Sequence, residues 1–246
     1  MFRYQILVEY VGTNYRGWQI QKKGLTIQGV LQNKISRVLK DKIKIVGSGR
    51  TDAGVHAIAQ SAHFDCKTLI LNKEKFLKSV NHFLKKKMIA VKNINKSNKN
   101  FHARFSAKER IYRYVIFNQI SPPILNHERG WHIMKKLDLK NMQKGGKKLT
   151  GTKDFSTFRA SSCNAKSPIR TIKDVKIKFQ NNKIIIEFRS QSFLQQQVRS
   201  MVGCLKYLGE HKWDIKKFNK IIRSKKRELC APPAPSIGLF LKKVKY

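Results

Sequence analysis

Apolar and polar side chains alternate from the start of the chain. Phe2, Tyr4, Ile6, Val8 and Tyr10 fall on one face, which predicts a strand over 2–10. The period then lengthens. Behind Thr26, a residue able to cap a helix, Ile27, Val30, Leu31, Ile35, Val38 and Leu39 form one stripe and predict a helix over 26–40. Short apolar runs predict strands near 42–47 and 58–64. Phe76, Leu77, Val80, Phe83 and Leu84 predict a helix over 73–85, and a strand near 88–94 follows. The order β-α-β-β-α-β is that of a ferredoxin-like split unit.

The second half repeats this order without repeating its residues. Strands are expected over 110–118, 171–179 and 183–190, with a helix over 138–149. Phe193, Leu194, Val198, Met201, Val202, Leu205 and Leu208 predict a long helix over 193–209. A short helix over 214–223 and a strand over 239–245 complete the set. Pro122-Pro123 and Pro232-Pro233-Ala234-Pro235 mark loops rather than linkers. The expected fold is α+β: two ferredoxin-like units side by side around a basic central cleft. The expected domains are 1–105 and 106–246, and a groove between two such units suits an extended anion.

Charge sharpens that expectation. Lys and Arg number 53 against 14 Asp and Glu, a net charge of +39. Neutralising phosphates releases counterions, so such a chain favours nucleic acid. A solvated lysine coat produced by biased composition is the simpler alternative. Cys66, Cys163, Cys204 and Cys230 lie far apart with no Cys-x-x-Cys pair, which fits neither a zinc ribbon nor a disulfide scaffold. The N-terminus reads directly as strand, and no apolar run is long enough for a bilayer. An intracellular, cytoplasmic protein without membrane attachment is expected.

Three segments carry candidate chemistry. Gly47-Ser48-Gly49-Arg50-Thr51-Asp52-Ala53-Gly54-Val55-His56-Ala57 places a scarce carboxylate among glycines that allow sharp turning and close approach. On spacing alone, an Asp-containing turn between two strands is the simpler account. Arg110-Ile111-Tyr112-Arg113-Tyr114 puts two tyrosines on one strand face, fit either to stack on a base or to pack in a core. The nearby His102-Ala103-Arg104-Phe105 extends that basic and aromatic texture. Arg199 lies beside the apolar stripe of the 193–209 helix, where it needs a partner such as a carboxylate or a route to solvent. His56 and His63 read as structural. There is no Walker A loop, dinucleotide fingerprint, zinc-deaminase signature, zincin helix or nucleophile elbow.

Together these segments resemble the tRNA pseudouridine synthase A family over nearly the whole chain. The resemblance rests on Tyr10-Val11-Gly12-Thr13-Asn14-Tyr15-Arg16-Gly17-Trp18-Gln19 and, most specifically, on Gly49-Arg50-Thr51-Asp52-Ala53-Gly54-Val55-His56-Ala57. Phe101-His102-Ala103-Arg104-Phe105-Ser106-Ala107, Arg110 to Tyr114 and Asp154-Phe155-Ser156-Thr157-Phe158-Arg159 follow in order. Phe193-Leu194, Val198-Arg199-Ser200-Met201-Val202-Gly203 and Gly238-Leu239-Phe240-Leu241 complete it.

The resemblance implies an isomerase converting uridine to pseudouridine at positions 38, 39 and 40 of the tRNA anticodon stem-loop. It implies Asp52 as nucleophile, Tyr112 against the target base and Arg199 as the ion-pair partner of Asp52, with no metal or organic cofactor and a homodimeric state. Arg50 either fills the space left by a flipped base or holds a phosphate. Asp52 attacks the sugar or removes a sugar proton; both remain open. Two departures stand out: Gln195-Gln196-Gln197, where many relatives carry histidine or methionine, and a long segment from Leu229 to Ile237. A basic RNA-binding protein without catalysis, or a synthase acting on another RNA, are the rival readings.

Overall fold

The structure is a computed structural model that describes every residue, 1–246. Two compact units divide it: Met1–Lys108 together with Phe240–Tyr246, and Glu109–Leu239.

In the first unit the order is β1 (Phe2–Tyr10), α1 (Ile27–Leu39), β2 (Ile45–Gly47), β3 (His56–Cys66), α2 (Lys73–Leu84) and β4 (Ile89–Lys96). β1 lies antiparallel between β3 and β4, and β2 runs antiparallel to β3, so the strand order is β4-β1-β3-β2. That is the ferredoxin-like arrangement expected from the element order. The alternation read in β1 is the burial pattern observed: Tyr4, Ile6, Val8 and Tyr10 are all buried. Thr26 caps α1 by accepting from the Gly29 N–H, and Asn72 caps α2 by accepting from Lys75.

The predicted strand over 42–47 forms only at Ile45–Gly47, because Ile43 instead gives its N–H to the Ser36 hydroxyl. The strand β10 (Leu239–Lys245), read in sequence with the second half, places Phe240 and Leu241 parallel to His56 and Ala57 of β3. β3 therefore has two partners along one edge, β10 at its start and β2 further along. Lys108 N–H bonds the Lys245 carbonyl, and the Tyr246 hydroxyl donates to the Ala103 carbonyl and lies 2.7 Å from the Ser61 hydroxyl.

The second unit contains β5 (Glu109–Asn118), β6 (Trp131–Ile133), α3 (Leu139–Lys148), β7 (Gly151–Asp154), β8 (Ile169–Gln180), β9 (Lys183–Ser190), α4 (Gln197–Gly209) and α5 (Ile215–Ser224). β9 lies antiparallel between β5 and β8, β7 pairs with β8, and β6 runs parallel to β5. Helix α3 approaches α4 closely. A Cβ at Gly145 would lie 2.3 Å from a methyl of Leu208, so only hydrogen fits there without repacking. The helix predicted over 193–209 starts four residues later, at Gln197. Gln196 has a left-handed backbone (φ 59°) that breaks the run despite the apolar spacing of Phe193 and Leu194.

Candidate active site

Asp52 sits in the connection between β2 and β3, and the chain around it is fixed by backbone contacts. The Val55 N–H donates to the Asp52 carbonyl at 3.2 Å, closing a four-residue turn with Gly54 at φ 77°. A positive φ at the third position identifies a type II turn, which favours glycine. Before the turn, Ser48 N–H bonds the Ser61 carbonyl, and the Ser48 hydroxyl donates to Gln60 Oε1 at 2.6 Å. Gln60 Nε2 donates in turn to the Gly49 carbonyl. Thr51 is buried and its hydroxyl lies 2.8 Å from that of Tyr10. Asp52 is half-buried, and Arg50 and Ala53 are exposed.

The segment from Gly12 to Trp18 braces this turn. Trp18 N–H donates to the Thr51 carbonyl, and Gly54 N–H donates to the Tyr15 carbonyl. A Cβ at Gly17, where φ is 89°, would stand 2.4 Å from the Thr51 oxygen; one at Gly12 would stand 2.0 Å from the Val55 oxygen. Both positions therefore need a residue without a side chain. The brace continues into α1, where the N–H groups of Ile27 and Gln28 bond the carbonyls of Gly17 and Trp18. Those are donors that a helix start leaves without intrahelical partners. His56 is buried, and its Nδ1 accepts the Gly12 N–H at 3.0 Å, the structural role expected for it.

Tyr112 and Tyr114 occupy β5 in the second unit. Tyr114 is fully buried, its hydroxyl donates to the Pro235 carbonyl, and burial pushes its pKa well up, with the Arg199 charge opposing. Tyr112 is 8% exposed and meets the ring of Phe193 edge-on at 5.2 Å. Tyr114 thus anchors the proline segment.

Arg199 lies in the first turn of α4. Its Nε donates to the Ala234 carbonyl at 2.7 Å, and Ala234 N–H returns to the Arg199 carbonyl at 3.0 Å. Two turns of contact thus dock the Pro232–Pro235 segment on the helix, and a Cβ at Gly203 would lie 2.1 Å from the Pro232 oxygen. Gln197 is fully buried and accepts the Leu194 N–H with Oε1, while its Nε2 finds no partner. That glutamine holds the helix start; Gln195 alone of the triplet is exposed.

Asp52 and Arg50 thus share one loop of the first unit, and Tyr112 and Arg199 belong to the second. The bracing glycines, Phe193 and Ala234 were not singled out as site residues in the sequence, although Gly12 and Gly17 stand in a segment that the resemblance covers. No group of three His, Cys, Asp or Glu side chains is arranged to hold a metal ion, and no helix is long and apolar enough to cross a membrane.

The sequence profile of a family described as tRNA pseudouridine synthase matches residues 6–106 and 146–246, taking in the Asp52 loop, its brace and α4. The chain belongs to the tRNA pseudouridine synthase family. It is accordingly an isomerase. A relative from Pelagibacter ubique (strain HTCC1062), tRNA pseudouridine synthase A, is 67% identical over 246 residues, all of both chains. A second, of the same name from Paramagnetospirillum magneticum (strain ATCC 700264 / AMB-1), is 41% identical over all of this chain and 96% of its own. One solved structure, titled as a Cbf5-Nop10-Gar1 complex, aligns with 82% of this chain and 53% of its own at TM-score 0.35 and 11% identity, too distant to bear on the site. In the synthase, the highly specific segment Gly49–Ala57 is thus a held turn with a half-buried carboxylate, not a loose loop.

Proposed function

We propose that the synthase isomerises uridine to pseudouridine at positions 38, 39 and 40 in the anticodon stem-loop of tRNA, with Asp52 as nucleophile. The observation that supports this most is that the backbone of the turn carrying Asp52 is held from both sides. A positioned group loses little freedom on reaching the transition state.

In the reaction the bond from uracil N1 to C1′ breaks, the ring turns, and C5 bonds to C1′. C5 then loses its proton and N1 gains one, so the formula is unchanged. Asp52 attacks C1′ as N1 leaves, holds the sugar while the ring turns, and is displaced as a free carboxylate when C5 bonds to C1′. Arg199 supplies the counter-charge that keeps the carboxylate ionised. Tyr112 contacts the base and, as phenolate, takes the C5 proton and passes it to solvent, from which N1 gains its proton. The uridine must leave its stem, at a cost of about a few kcal/mol that pocket contacts offset. Arg50, exposed beside Asp52, holds a phosphate or fills the vacated stack. The enzyme acts in the cytoplasm as a homodimer without metal or cofactor.

Single-turnover release of tritium from C5 of uridine in an unmodified tRNA transcript tests the reading. Release by the native protein, mapped to positions 38 to 40, and none by Asp52→Ala with tRNA binding kept, is the expected result. Release by both proteins removes Asp52 from the chemistry; tight binding without release by either returns the case to another RNA substrate. An isotope effect from deuterium at C2′ would replace attack on C1′ by removal of the sugar proton. Light scattering of the purified protein checks the dimer.

A further inference from the structure

The first unit carries a large apolar side chain that neither its core nor the Asp52 loop explains. Phe105 is 75% exposed, in the loop between β4 and β5. It is nevertheless held in place. The His102 ring stacks on it with centroids 4.4 Å apart and planes 29° from parallel. His102 is itself fixed, because its Nδ1 accepts the N–H groups of both Arg104 and Phe105. Below it, His63 meets His102 edge-on at 4.8 Å and is 4% exposed. A column of three rings therefore runs from β3 to the surface.

The loop is pinned at its centre as well. Ala103 is fully buried; its N–H donates to His63 Nδ1 and its carbonyl accepts from the Tyr246 hydroxyl. His102 and Ser106 close the loop from both sides, through Ser106 N–H to the His102 carbonyl and His102 N–H to the Ser106 hydroxyl. The guanidinium of Arg104 lies over the Phe105 ring, 5.5 Å from its centroid, bringing positive charge to the platform.

We propose that Phe105 is a stacking platform for an unpaired nucleobase of the tRNA, with Arg104 favouring the adjoining phosphate. An exposed benzyl group in water is unfavourable unless covered, and a ring already fixed loses little entropy when a base stacks on it. In a chain of net charge +39 the covering partner is polyanionic, and every base offers a π-face. The proposal rests on tRNA as substrate and is independent of which uridine is modified and of the role of Asp52.

Equilibrium binding of the full-length protein to an unmodified tRNA transcript provides the test. Phe105→Ala should weaken binding by about 10- to 100-fold, the range for loss of one base–aromatic stack. Phe105→Trp should bind like the native protein, and Phe105→Leu should not rescue. Abasic substitution at successive unpaired nucleotides should find one position whose loss does not add to that of Phe105→Ala. Unchanged binding by Phe105→Ala, full rescue by leucine, or a change from dimer to monomer in Phe105→Ala would each overturn the platform. Failure of native protein to release tritium would count against the catalytic reading alone, since binding is measured here.

Discussion

Arg199 and Ala234 exchange two bonds, the arginine Nε–H to the alanine carbonyl and the alanine N–H to the arginine carbonyl. The first uses one edge of the guanidinium fork and leaves its orientation set before any partner arrives. Lysine offers charge without that edge. Arg199→Lys should therefore lower single-turnover rate by about 10- to 100-fold, the scale of one charge-assisted hydrogen bond, with tRNA affinity nearly kept. Rates equal to the native protein would show that the Ala234 anchor does not matter to catalysis.

Gly17 offers a test of the brace. With φ at 89° and the Thr51 oxygen 2.4 Å from any Cβ, alanine there must shift backbone rather than a flexible side chain. Gly17→Ala should cost ~2–4 kcal/mol and lower the melting temperature by roughly 10 °C. Residual activity at a temperature where the variant is still folded should also fall, because the displaced carbonyl adjoins Asp52. A variant with native melting and native activity would mean that the brace is not needed.

Removal of the Tyr112 hydroxyl separates packing from chemistry. Phenylalanine preserves the edge-on contact with Phe193, so Tyr112→Phe should fold normally and bind tRNA. If the phenol takes the C5 proton, turnover should drop about 100-fold or more. Full activity would confine Tyr112 to contact with the base.

His63 is expected to imprint itself on stability. Burial, with the nearby charges of Arg3 and His102, pushes its pKa down to about 4, against a partial opposing pull from Asp65. The folded protein thus favours neutral His63, whose Nδ1 accepts the Ala103 N–H. The unfolded chain titrates near the ordinary histidine value of about 6.5. The stabilisation is complete above about 6.5 and is lost as pH falls toward 4. Denaturant midpoints measured across that window should decline in the native protein and decline less in His63→Gln. Equal slopes in both proteins would place the pH dependence elsewhere.

Much of the first unit was legible because its helices and long strands are periodic and its caps are ordinary. Thr26 announced α1, and alternation announced β1. The misses have physical causes. β6 and β7 are three and four residues long, too short for a period to show. Phe193 and Leu194 keep helical spacing yet precede the helix, because the left-handed Gln196 is a local event that hydrophobicity does not record. The parallel pairing of β10 with β3 joins residues far apart in sequence, and no local pattern reports it. In the site, the glycines around Asp52 were conspicuous. That Gly12 and Gly17 serve to let Val55 and Thr51 approach was not, since such a contact is visible only when both segments are placed.

The strand from Leu239 to Lys245 abuts the start of β3, one residue beyond the turn that carries Asp52. Synthesis runs from the N-terminus, so the whole of Glu109–Leu239 must be made before that strand exists. A nascent chain therefore carries the Asp52 turn on an unfinished sheet until translation of the second unit is past.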